Sequence, residues 1–185
     1  MALCASVNQS KHSRRFILAG TSGTGKTALL QGLSDCGFCC FQEPGRKILA
    51  AHLADEGEGF ARSFVNLMKD QFISDFEAAS SEPVSFYDRG LPDAVAYAIR
   101  FGVDAEPFLA VARVHRYETP VFLAPLWPEI FEYDEWRRAP YDDYVRFHEH
   151  IVESYRQLGY PLIELPKQSV EYRVSFIMDH IREGA

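Results

Sequence analysis

The chain has 185 residues, 47% of them hydrophobic, enough for one compact domain with a sizeable core. Its net charge is −7 and its pI near 5.4, with no basic stripe of the kind that binds nucleic acid. No apolar run approaches the ~20 residues that span a bilayer, so no membrane partner is expected.

In chain order, the N-terminal text MALCASVNQSKHSRR is polar after Leu3 and lacks a signal-peptide core. Residues 1–14 are therefore expected to form a loose tail, the address is cytoplasmic, and 15–185 form a single domain. RRFILAG predicts a short buried strand over 16–19, ended by Gly20. KTALLQGL predicts a helix that stops near Gly37. FCCF is a second strand, 38–41, and PGRKILAAHL a helix with Pro44 near its first turn. The acidic glycine-containing text at 55–59 is a connector. Phe60, Phe64, Leu67, Met68, Phe72 and Phe76 then recur with the helical period, a core-facing stripe.

A third strand is expected over 84–87, two short helices near 93–101 and 107–114, and a fourth strand over 121–124. A long helix carries Tyr141, Tyr144, Val145, His148, Ile151 and Tyr155 on one face, where His148 reads as a packed core histidine. YPLIEL is a fifth strand, and the last helix begins after Ser169, a fitting N-cap. Trp127, beside Pro125 and Pro128, reads as a packing residue. Strands alternate with helices, and four of the five strands are continuous apolar runs, as in strands covered on both faces. The fold expected is α/β: a three-layer arrangement with a central parallel sheet of about five strands, helices on both faces and a short lid segment.

Of the four cysteines, Cys36, Cys39 and Cys40 cluster, but no second ligand pair follows at zinc spacing. Cys39 and Cys40 lie in the apolar FCCF run and are expected as reduced, buried thiols, with Cys4 in the tail.

The strongest chemical signal is GTSGTGKT over 20–27, a full match to G-x-x-x-x-G-K-[ST] between a strand and a helix. Glycines at 20, 23 and 25 let the backbone wrap phosphate oxygens, so that the main-chain N–H groups of Gly20, Thr21, Ser22, Gly23, Thr24, Gly25, Lys26, Thr27 and Ala28 surround the ligand. Lys26 reaches the β- and γ-phosphates, and the Thr27 hydroxyl completes a magnesium shell. Such a loop wants an acidic partner at a nearby strand end. VSFYD supplies Asp88, as a magnesium-side carboxylate or as a base for an acceptor. Asp93 follows Pro92 at a helix start, where capping by the dipole and a role in the site are both open. The guanine motif N-K-x-D is missing; NLMKD at 66–70 has the wrong spacing. ATP with Mg2+ is the nucleotide expected.

Taken together, FILAGTSGTGKTALLQGLSDCGF, EPGRKIL, SFYDRGLPDAVAY, VFLAPLWPEIFEYDEWRR and ESYRQLGYPLIELPKQSVEYRVSFI resemble the small P-loop ATPases of the AAA_28 type. These are related to the nicotinamide riboside kinase domain and to nucleoside and nucleotide kinases. The resemblance implies a carboxylate after strand two, Glu43, holding the acceptor or metal-bound water. It implies Arg46 pairing with Glu43 or binding the acceptor, and Arg89 as the "DR" arginine that braces the acceptor or its carboxylate. It also implies a lid around 128–143, whose Arg137 and Arg138 close over the phosphates. One departure stands out: E-P-G-R over 43–46 replaces the usual E-A-A-R. The short chain is expected to lack an appended substrate domain.

The expectation is a Mg-dependent phosphotransferase acting on a small hydroxyl-bearing, nucleoside-like acceptor. Lys26, Asp88, Arg89, Glu43, Arg137 and Arg138 are its catalytic candidates, Glu43, Arg46, Arg89 and Asp93 its acceptor-binding ones, and Thr27 and Asp88 its metal ligands. The alternative is a regulatory, nucleotide-gated ATPase acting through a partner protein. Oligomeric state is left open.

Overall fold

A computed structural model describes residues 13–51 and 59–183. Most of the expected N-terminal tail, Cys4 with it, and nearly all of the acidic connector lie outside those residues. The described elements are β1 (Arg14–Ala19), α1 (Lys26–Asp35), β2 (Cys39–Phe41), α2 (Gly45–Ala51), α3 (Phe60–Ala78), β3 (Val84–Asp88), α4 (Leu91–Arg100), α5 (Glu106–Val114), β4 (Val121–Leu123), α6 (Tyr141–Gln157), β5 (Leu162–Glu164) and α7 (Val170–Glu183).

The five strands form one parallel sheet in the order β2-β3-β1-β4-β5. The two-residue period of a strand divides its side chains between two cores. Ile17, Ala19, Tyr87, Val121 and Leu123 face the layer built mainly from α3, α4, α5 and α6. Phe16, Leu18, Phe86 and Phe122 face α1 and α7. The ring of Phe16 lies 5.8 Å from that of Phe86 and 6.2 Å from that of Phe122, a chain of aromatics across three strands. This is the three-layer α/β fold expected from the alternating elements.

Two expectations needed adjusting at the sheet margins. The inner strands β3 and β4 are buried throughout, and β1 from Phe16 onward. β2 and β5 are only half-buried, because the strand order puts them at the edges. Cys39 and Cys40 are therefore free and half-buried rather than fully buried. The strand β1 also begins two residues before Phe16, where Arg14 donates to the Ile181 carbonyl and the Arg15 guanidinium lies 4.2 Å from the Phe76 ring centre.

From β1 the chain goes to one side for β2 and β3 and to the other for β4 and β5. A crevice at the carboxyl ends of the strands follows from that reversal. Pairing of Leu18 with Asp88 sets the end of β3 level with the end of β1, at the mouth of this crevice. Among the described residues no helix is long and apolar enough to cross a membrane.

Candidate functional site

The glycine-rich loop starts where β1 runs out. Gly20 has φ 123°, and a Cβ there would lie 2.5 Å from the Ala124 carbonyl oxygen, so only glycine fits. The loop ends at Gly25, φ 78°, the N-cap of α1. Between them Thr24 Oγ1 donates to the Thr21 carbonyl at 2.9 Å, and Lys26 Nζ donates to the same carbonyl at 2.7 Å.

Lys26 and Asp88 are nearly fully buried, with Nζ 3.7 Å from Oδ1. The Thr27 hydroxyl donates to the other oxygen, Oδ2, at 3.5 Å. Burial lowers the Lys26 pKa, with Asp88 opposing, and burial raises that of Asp88, with Lys26 opposing. Nζ carries three N–H donors and has one hydrogen-bonded acceptor, the Asp88 contact being ionic only, and Oδ1 of Asp88 has no hydrogen bond. A cation-plus-phosphate ligand suits both deficits. Thr27 and Asp88 are hard oxygen donors of the kind that hold Mg2+ with water and phosphate filling the rest. Among the described residues no cluster of three or more His, Cys, Asp or Glu forms a protein cage for a metal. A cation held here would thus be shared with a ligand. These residues line a cavity of about 500 Å3 together with Ala28, Glu43 and Arg137.

Immediately after Asp88, Arg89 adopts φ 75°, unusual for a non-glycine residue, and is fully buried. Its Nε lies 2.9 Å from Glu43 Oε1, an ionic contact, and its Nη1 donates to Asp93 Oδ1 at 3.2 Å. Its Nη2 donates to Ser22 Oγ at 3.4 Å. Asp93 Oδ2 in turn accepts from the Gly90 N–H at 3.0 Å and the Tyr155 hydroxyl at 2.5 Å. Asp93 therefore caps α4 and pairs with Arg89 at once. α4 starts two residues before Asp93, because Pro92 in its first turn needs no N–H partner. Burial pushes the Glu43 carboxyl up, but Arg89, Lys26 and a 2.9 Å hydrogen bond from Tyr97 outweigh it and hold the pKa below the usual range. Both partners use Oε1, and no described residue hydrogen-bonds Oε2.

A second cavity, about 280 Å3, adjoins the first. The two share Ser22, Glu43, Arg46 and Arg137, so Glu43 stands where they meet. Arg46 does not pair with Glu43. It pairs with Asp134 at 3.1 Å, as does Arg137 at 2.7 Å. The neighbouring Arg138 is exposed and lines only the second cavity. The segment around 128–140 crosses the glycine-rich loop: the Phe131 ring packs on Gly23 and Ile130 on Gly25. His148 is half-buried on α6, its Nδ1 without a partner; burial, then the charges of Lys26 and Arg89, pull its pKa down to about 4.

Thus Lys26, Thr27, Asp88, Arg89, Glu43 and Asp93 converge on one crevice, with Arg46 and Arg137 on its rim. Tyr97, Asp134 and Tyr155 were missed from the sequence. Tyr97 is one helical turn beyond Asp93, a spacing that put it on the same face. Asp134 stood in the charge-dense text before Arg137. Nothing local marks Tyr155, 62 residues from Asp93. Arg173 was also missed: it is buried on α7, donates to the Thr24 carbonyl at 3.3 Å and looks like one more residue of an amphipathic helix.

Solved structures share this fold. A NadR protein in complex with NR is 19% identical, with TM-score 0.67 over 93% of this chain and 51% of that one. The chain thus spans about half the length of that protein. A deoxyadenosine kinase from M. mycoides with dCMP and dCDP bound is 15% identical, with TM-score 0.69 over 91% of this chain and 99% of that one. A thymidylate kinase from Ehrlichia chaffeensis is 12% identical, with TM-score 0.60 over 92% and 99%. A comparison with curated proteins gave no match. At these identities the likeness is one of fold. The family model AAA_28, described as an AAA domain, matches residues 15–173, most of the chain, and the chain belongs to that family.

Proposed function

We propose that the protein is an ATP-dependent phosphotransferase whose acceptor is a small hydroxyl-bearing, nucleoside-like molecule. The observation that carries this is the position of Glu43 between two cavities, one walled by the glycine-rich loop and one by aromatic side chains. A nucleotide hydrolase has no need of the second. A magnesium nucleotide, when bound, supplies the γ-phosphoryl group, and its metal spreads the developing charge.

Residues 20–28 hold the phosphates through backbone N–H groups, and Lys26 adds a fixed positive charge. Thr27 and Asp88 hold the cation. Glu43, kept ionised by Arg89, Lys26 and Tyr97, presents Oε2 to the acceptor hydroxyl. It takes the proton as the acceptor oxygen bonds to phosphorus and the bond to the β–γ bridging oxygen breaks, leaving ADP. Asp93 and Tyr155 keep Arg89 in place, so the base is oriented before any ligand arrives. Arg137, which lines both cavities, neutralises charge at the transfer point; Arg46 and Arg138 face the acceptor. In this scheme 128–143 is a lid on a single kinase-like domain, and the protein acts in the cytoplasm.

Acceptor-dependent release of ADP across a panel of nucleosides and related alcohols tests the proposal. Stimulation by at least one acceptor is expected. Nucleotide binding with no stimulation by any of them would overturn it and favour a regulatory ATPase.

A further inference from the structure

The second cavity has a charge pattern that a neutral acceptor does not need. Its walls are aromatic: Phe64, Tyr97, Phe101, Trp136 and Phe147 all line it. Four arginines line it as well, Arg46, Arg100, Arg137 and Arg138, against one carboxylate, Glu43. This is a local excess of positive charge in a chain whose net charge is −7.

Two of the four arginines and the carboxylate are already paired. Asp134, outside the cavity, neutralises Arg46 and Arg137, and Arg89 neutralises Glu43. Among the described residues neither Arg100 nor Arg138 has a carboxylate partner. The Arg100 guanidinium instead lies over the Phe147 ring, 4.7 Å from its centre, and 5.9 Å from that of Phe101. Stacking fixes the plane of a guanidinium and leaves its N–H edge free for a planar or tetrahedral anion.

Position adds the direction. Arg46 and Arg137 line both cavities and so mark the transfer end. Arg100 and Arg138 line the second cavity alone, and so mark the far end of the acceptor. We infer that the acceptor is a flat ring compound with its reacting hydroxyl toward Glu43 and an anionic group, carboxylate or phosphate, at the opposite end against Arg100 and Arg138. This rests on the kinase proposal for where the acceptor sits. The cavity is near the lower end of small-molecule sites, ~300–1,000 Å3, which favours a single ring.

Binding, rather than turnover, tests this separately from the kinase proposal. Calorimetric titrations of the full chain, with Mg2+ and a non-hydrolysable ATP analogue present, compare four probes. Uridine is neutral, 5-carboxyuridine carries a carboxylate on the base far from the 5′ hydroxyl, 5-phosphonouridine carries a phosphonate in place of phosphate at the same position, and uridine 5′-monophosphate places its anion at the transfer end. One of the two distal anions is expected to bind at least about tenfold more tightly than uridine, the gain typical of a charged bidentate contact. Which of them gains tells carboxylate from phosphate. The double variant Arg100→Gln, Arg138→Gln, its fold checked by thermal unfolding, is expected to bring that ratio close to one. Equal or weaker binding of both distal anions, or a preference for the 5′-monophosphate, would overturn the inference. Tighter distal-anion binding without any acceptor-dependent ADP release leaves it standing and counts against the kinase proposal alone. Phosphorylation of uridine without an anion preference does the reverse.

Discussion

The two cavities touch at Glu43 but are built by different means. The first takes nearly half of its wall from one short stretch, residues 20–28, where β1 gives way to α1. Its shape depends on glycine dihedrals and on the close approach of Gly20 to Ala124. The second is walled by side chains from α2, α3, α4, α6 and the segment between β4 and α6. Its shape depends on a buried charge network that those elements must be docked to complete. A backbone-built site tolerates changes in the side chains around it, whereas a site built from a network fails when one member is removed.

The largest expected effect is on that network. Replacing the fully buried Arg89 by Leu strands Asp93 without a cation and should cost about 3–5 kcal/mol of stability, read by denaturant unfolding. If the loss is under about 1 kcal/mol, the network does not hold the second cavity together and the contrast collapses. Next comes Glu43→Gln, which keeps the shape and removes the base. Transfer to the acceptor should fall by about a hundredfold or more, while nucleotide affinity, set by the other cavity, stays put. Asp88→Asn is the mirror experiment. Magnesium dependence should shift, with roughly ten- to hundredfold weaker apparent metal affinity, and nucleotide binding in the absence of metal should change far less.

A pH experiment probes α6 without changing a member of the network. The His148 pKa is about 4 in the fold against an ordinary 6.5. Between those values the unfolded chain binds a proton that the folded one refuses, so stability falls as pH drops from about 6.5 to about 4 and is unaffected by this group at higher pH. Relative to His148→Asn, the native chain should lose on the order of 2 kcal/mol over that window, discounted for partial exposure. The smallest effect belongs to Asp134→Asn. It loosens Arg46 and Arg137, which are partly solvated, so stability should change by less than about 1 kcal/mol, and the change should show mainly in the acceptor KM.

Legibility followed the same division. The glycine-rich loop, the strand before it and the helix after it could be read because their physics is local: spacing, dihedral freedom and an apolar run. Asp88 could be placed because it ends a strand, and the helical stripe from Phe60 to Phe76 because its period is internal to one element. The partners of the charged residues could not. Glu43 and Arg46 are three positions apart, and pairing between them was a reasonable expectation, yet Glu43 meets Arg89 and Arg46 meets Asp134, 88 residues away. The edge strands β2 and β5 are less buried than their apolar runs imply, since an apolar run does not say where in the sheet a strand will stand.

The sequence by itself therefore determined the α/β architecture, the loop with its lysine and threonine, and the set of charged residues available to the crevice. Tertiary structure alone decided which charges pair, that Tyr155 closes the Arg89–Asp93 pair from another helix, and that a second cavity opens beside Glu43. The reason is physical. Backbone conformation and burial period are set by neighbours in the chain. Ion pairs and cavities are set by distances between elements, and those distances exist only once the helices have packed on the sheet.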